Sequence, residues 1–182
     1  MDIYRNPQSH QAGPNNGSGS DRMVGLTLGV GTVCLGMIAG MFFDWATSIM
    51  PSLADADDRT YVVVMQKTIT TINSSPLFLL SLMGAFVFTG VAAILQNRLG
   101  AKAAFRWTLA GLALYVVAIL ITMGVHFPLN DTLEKAGDPD AIDVAALRAE
   151  TEDPWVAAHL ARTAASVLGL AFLCRALWLR RR

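Results

Sequence analysis

This sequence predicts an all-α fold, an integral membrane four-helix bundle with a helical first outer loop, and three observations predict it. Residues 23–43, 76–96, 107–127 and 155–178 form four long apolar runs, and the first three hold no Asp, Glu, Lys or Arg. Each is long enough to cross a bilayer, which takes about 20 residues at a rise of about 1.5 Å each. The 182-residue chain is 53 % hydrophobic and 15 % charged, with a mean hydropathy of +0.44, too apolar for an ordinary water-soluble domain. Its charges collect between and outside the runs. The formal net charge is zero, so nothing in the balance points to nucleic acid. Cys34 and Cys174 both fall inside runs and read as small packing residues.

Residues 1–22 are rich in Gly, Ser, Asn and Pro (QSHQAGPNNGSGSDR), a composition that buries no core and predicts a disordered cytoplasmic tail; His10 has no role there. The first run far exceeds the roughly 7–15 apolar residues of a secretory signal and lacks a clear small-residue cleavage site just after it, so it reads as a retained helix. Its glycine pairs, Gly25/Gly29 and Gly36/Gly40, allow close helix approach within the bundle or to a second copy.

In the first outer loop, residues 44–75, Tyr61, Met65, Ile69 and Ile72 recur at helical spacing behind Asp57 and Asp58. The β-branched runs YVVV and TITTI also permit a strand. A helix is favoured, continuous with the second span up to a kink at Pro76. In the third span Tyr115, Thr122 and His126 share a face, and Pro128 is expected to end it. A short helix near 139–150 is expected next, and Pro154 is expected to open the last span at its first helical position.

Orientation follows from lysine and arginine. Arg5, Arg22, Arg98, Lys102, Arg106 and the basic end Arg180–Arg182 lie on one side, and nearly all the carboxylates lie on the other. By the bias of basic residues toward the cytoplasm, both termini are cytoplasmic, and the membrane is read as the plasma membrane. Trp45 and Trp155 then mark the outer interface, Trp107 and Trp178 the inner one.

The last run carries the site signal. Trp155, His159, Arg162, Ser166 and Gly169 follow at steps of four, three, four and three, which places all five on one helix face. An arginine inside a span costs about 2.5–3.5 kcal/mol on insertion scales unless it snorkels or is paired. Arg162 is therefore expected to face inward and pair with Asp44, Asn130 or Asp131. The alternative is that His159 and Arg162 only anchor the interface, through loop carboxylates or lipid phosphates. Gln66, Asn130, His159 and Arg162 are expected to converge as the catalytic set. Asp44, Asn73, His126, Asp131 and Trp155 are expected around them as substrate contacts. There is no HExxH, CxxCH, GxSxG or P-loop signature. His126, His159, Asp44 and Asp131 have no diagnostic metal spacing, and Arg162 would oppose a cation, so no metal and no cofactor are expected.

Several of these pieces together resemble the anthrone-oxygenase-like membrane family. They are Gln66 in VVVMQKTITTIN, Asn73 and Pro76 in INSSPLF, then Pro128, Leu129, Asn130 and Asp131 in FPLND. The last is Trp155, His159, Arg162 and Thr163 in WVAAHLART. The resemblance covers roughly residues 25–178. Ala157 and Ala158 depart from the asparagine and bulkier residue often found there, and the loop at 133–153 is longer and more acidic.

What the resemblance implies is a four-helix membrane protein. For a minority of relatives it implies cofactor-independent oxidation of anthrones to anthraquinones. Under that reading a hydrophobic aromatic small molecule from the bilayer loses a proton to His159 or His126, oriented by Asp44 or Asp131. Arg162, Gln66 and Asn130 then stabilise the oxyanion. The competing reading is a non-catalytic membrane module that binds a lipid, a quinone-like ligand or a partner protein.

Overall fold

The computed structural model describes residues 16–180, with side chains from residue 19 onward. Arg5, His10, Arg181, Arg182 and most of the polar leader lie outside the described residues. Helix α1 runs Asn16–Asp44 and continues through a π turn, Trp45–Ile49, into α2, Met50–Ala54. Then come α3 (Asp58–Asn73), α4 (Pro76–Arg98) and α5 (Lys102–Ile121). A second π turn, Thr122–His126, leads into α6 (Phe127–Lys135), and α7 spans Val144–Leu179. There is no strand among the described residues.

Four helical stretches are long and apolar enough to cross a membrane: Gly19–Ala54, Pro76–Arg98, Lys102–Lys135 and Val144–Leu179. This is an integral membrane protein. The spans pack in a ring in chain order, α1 on α4, α4 on α5, α5 on α7 and α7 on α1. The α4–α5 corner closes with a Schellman turn. Gly100 adopts φ +71°, its N–H bonds Asn97 O, and Ala101 N–H bonds Gln96 O at 3.0 Å.

Apolar burial forms two cores. One fills the bundle with Leu28, Leu35, Ile38, Phe42, Tyr115 and Leu173. The other lies under a cap made by α2, α3, α6 and the start of α7, and holds Leu53, Tyr61, Met65, Ile69, Leu133 and Trp155. In lipid the first is held by close packing, because hydrocarbon outside competes for apolar contact. The second excludes water and draws on the hydrophobic effect.

Several boundaries differ from expectation. The first helix begins at Asn16, so the end of the leader read as disordered is helical. α3 is a helix, capped by Asp57, whose carboxylate accepts Thr60 N–H at 2.9 Å and Thr60 Oγ1–H at 2.7 Å. It is not continuous with the second span. The chain breaks at Ser74–Ser75, where Ser75 turns extended (ψ 110°) and caps α4 ahead of Pro76.

Two prolines expected at span boundaries behave differently from the simple rule. Pro154 lies inside α7 and does not open it; Glu150, whose carbonyl loses its helical donor, is exposed in the cap, where water can satisfy it. Pro128 does not end the third span. The π turn before it, like the one ahead of Pro51, widens the helix just before the proline, where the ring would otherwise clash with a carbonyl one turn back.

The close backbone approaches use other glycines than the pairs singled out in the first run, of which Gly25 meets the Arg180 side chain. A Cβ on Gly31 would meet Thr89 N at 2.9 Å, and one on Gly111 would meet Gly169 O at 3.0 Å. Gly29 and Gly40 have no atom within 4 Å of that position. The contacting glycines are set by the register between helices, which their spacing within one helix does not reveal.

Candidate functional site

Where the two cores meet, α7 presents Trp155, His159, Arg162, Ser166 and Gly169 inward, all five buried. Arg162 Nε and Nη2 both donate to His159 Nδ1, at 3.1 and 2.9 Å, and Nη1 donates to Thr122 Oγ1 at 3.3 Å. A guanidinium cannot accept a hydrogen bond, so Nδ1 carries the lone pair and the ring proton sits on Nε2. Nε2 donates to the Phe42 carbonyl at 2.9 Å. Phe42 lies three residues before the first π turn.

The guanidinium also lies over the Phe42 ring at 4.2 Å and near the Trp155 ring at 5.5 Å. Trp155 stacks on His159 with centroids 4.8 Å apart and planes 12° apart, and its indole N–H donates to Asn130 Oδ1 at 3.0 Å. The partners that the sequence suggests for Arg162 are thus corrected. Arg162 is 8 % exposed, and no carboxylate pairs with it among the described residues. Its partners are a histidine nitrogen, a hydroxyl and two aromatic faces.

These groups form one wall of a cavity of about 820 Å³, part of it open at the mouth. α1 contributes Met41 and Phe42; α3 contributes Met65, Ile69 and Asn73; α4 contributes Phe78 and Leu82. Five of the nine candidates meet here: Asn73, Asn130, Trp155, His159 and Arg162.

The other four do not. Gln66 lies on the edge of α3 beside the cavity face and turns away to donate to Leu133 O at 2.9 Å and Gly137 O at 3.0 Å, clamping α3 to the end of α6. Asp44 is exposed beside the first π turn. Asp131 is exposed and pairs with Lys135 at 2.8 Å. His126 is fully buried behind Trp155, edge-on at 5.0 Å, and neither ring nitrogen has a hydrogen-bond partner; the nearby Ile121 carbonyl does not reach bonding geometry. Helical spacing places Gln66 beside the apolar stripe of α3, but does not show which way that edge turns.

Two groups without a clear sequence signal matter. The Phe42 carbonyl sets the His159 tautomer, and a backbone atom leaves no trace in composition. Arg148 clamps the cap, donating to the carbonyls of Leu53, Ala54 and Ala56 and pairing with Asp58 at 3.1 Å and Glu152 at 2.6 Å. It covers the Tyr61 ring at 5.0 Å, and burial pushes the Tyr61 phenol up to about 12. At the cap surface, the hydrogen bond and charge of Arg59 hold the Asp140 carboxyl below its usual range.

A fixed cation with spare N–H donors, set in an apolar cavity without a counter-charge among the described residues, has the chemistry to hydrogen-bond an anionic oxygen. No three of His, Cys, Asp and Glu come together as a metal's ligand set among the described residues.

A family model described as anthrone oxygenase matches residues 75–172. The chain belongs to the anthrone oxygenase family. No curated protein and no solved structure matches it. The anthrone oxygenase region contains Thr122, Asn130, Trp155, His159 and Arg162. It leaves out Phe42, Gln66 and Asn73, so the α1 and α3 walls of the cavity come from outside the match.

Proposed function

We propose that this protein binds a weakly acidic, polycyclic aromatic molecule as its anion against Arg162 and lets molecular oxygen oxidise it. The observation that carries this reading is Arg162 itself, buried in the wall of an aromatic-lined cavity with no carboxylate paired to it among the described residues. An isolated buried cation is costly, and an anionic ligand is the natural compensation. For an anthrone the balance closes without a cofactor. The anthrone gives up a proton, its enolate carbon takes up O₂, and the resulting peroxide loses water to leave the anthraquinone. Anthrone and O₂ thus become anthraquinone and H₂O.

In this scheme the ligand oxygen draws the guanidinium donors away from His159 Nδ1. That frees the Nδ1 lone pair to accept the substrate proton, while Nε2–H stays on Phe42 O. Asn130 acts through Trp155, holding the ring that stacks on His159. The reading also places the capped end outside the plasma membrane and both termini in the cytoplasm, on the distribution of Lys and Arg.

The test is oxygen uptake by purified protein with a hydroxylated anthrone, beside Arg162→Met. Losing a charge-assisted hydrogen bond should weaken binding by about 2 kcal/mol, roughly thirtyfold. Turnover should fall at least as far. Uptake that is unchanged in Arg162→Met overturns the proposal. Arg162-dependent binding without oxygen uptake would favour the competing reading, a binder of a quinone-like ligand.

A further inference from the structure

We infer that the ligand reaches this cavity sideways from the bilayer, through a groove between α4 and α5 that Met83, Met123 and Phe127 border. The inference rests on the cavity being a ligand site and adds the route and the physical class of ligand: a neutral, lipid-dissolved arene that ionises only after arrival.

The groove is a separate apolar hollow of about 600 Å³ on the membrane-facing side of the two spans. It shares Phe42, Leu82, Thr122 and Phe127 with the cavity, so the two spaces are walled by the same side chains. Two of these, Phe42 and Thr122, touch Arg162. An arene moving along the groove would therefore arrive at the guanidinium. The groove's hydroxyls are already committed: Tyr115 donates to Leu82 O and Thr122 to Ala118 O, each at 2.9 Å. An apolar molecule passing them strands no hydrogen-bonding group. The Tyr115 bond also ties α5 to α4 at the groove's edge. Met83, Met123 and Phe127 are 52 %, 56 % and 56 % exposed, within spans that lie in lipid.

A second mouth opens toward water past Asn73, Asn130, Asp131 and Glu134, and Met123 and Phe127 border it too. Its carboxylates disfavour the approach of an anion from that side. The neutral acid therefore comes through lipid, where an arene is most concentrated, and water and protons are left the polar mouth.

The experiment uses the full chain in lipid vesicles containing an apolar phenyl diazirine, photolysed and mapped by mass spectrometry. Wild-type protein should be labelled at the cavity residues Met65, Ile69 and Trp155, as well as at the lipid-facing Leu26 and Leu80. In Met83→Trp/Ile119→Trp, at two positions that line the groove and not the polar mouth, cavity labelling should fall at least tenfold, with Leu26 and Leu80 unchanged. Phe127→Ala should raise it. Cavity labelling that persists in the double variant, or that is absent from wild type, overturns the route. Arg162→Met separates the two proposals. It should leave labelling intact, so oxygen uptake indifferent to Arg162 would remove the proposed reaction and not the route.

Discussion

Arg162 and His126, both packed against Trp155 and His159, show how differently two buried polar residues can be treated. Arg162 has every nitrogen on a hydrogen bond, to His159 or Thr122, and a face on Phe42. His126 has edge contacts to Trp155 at 5.0 Å and His159 at 6.1 Å, and no hydrogen bond. A buried polar atom left unpaired costs about 1–3 kcal/mol. His126→Phe, which keeps a flat ring behind Trp155, should therefore leave thermal stability in detergent unchanged or raise it, and should retain oxygen uptake. A collapse of uptake with folding intact would show that His126 carries the proton, the role that the sequence left open to either histidine. Both histidines were visible in the sequence as polar residues near one end of the spans. What separated them was rotation: His159 lies on the stripe of α7 that faces the cavity, whereas the π turn carries His126 behind an indole.

At the level of elements, the bundle depends on two tight crossings, α1 with α4 at Gly31 and α5 with α7 at Gly111 and Gly169. A methyl group on Gly111 would press on Leu173 Cδ2 at 2.8 Å and on a backbone oxygen at 3.0 Å. Gly111→Ala should thus destabilise the protein by about 1–3 kcal/mol, the usual cost of overpacking. Gly29→Ala meets nothing within 4 Å and gains helix propensity, so it should be neutral or stabilising by up to about 1 kcal/mol. Unfolding of the two variants in mixed detergent micelles checks the contrast; equal effects would mean that these crossings do not limit stability. The glycines were legible as packing residues, but their order of importance was not. The helix-breaking residues were legible too, and misled in the same way. Pro128 read as the end of one span and Pro154 as the start of another because a proline has no N–H to donate, and both helices pass through them, one by widening and one where water is at hand.

The whole molecule is two structures joined at the cavity, a bundle suited to lipid and a cap suited to water. Arg148, Gln66 and the Arg59–Asp140 pair hold cap segments together across long stretches of chain. The cap should lie outside the cell. Cysteines placed at Ala141 and at Ala101, in a background without Cys34 and Cys174, should react with an impermeant maleimide on intact cells only at 141. Reaction confined to 101 would reverse the orientation.

Four spans were determined by the sequence alone, and the helical outer segment and the shared polar face of α7 were favoured by it, because hydropathy and helical period are local properties that survive without knowledge of neighbours. The partner of Arg162, the outward turn of Gln66 and the cavity between two cores were decided only in three dimensions. Each depends on the relative rotation of α1, α3, α5 and α7, and on π turns that shift a helix face without changing its apolar pattern. A carboxylate was the reasonable partner to expect for a buried arginine. The fold instead closes around it with aromatic faces, a hydroxyl and one histidine lone pair, none of which cancels its charge.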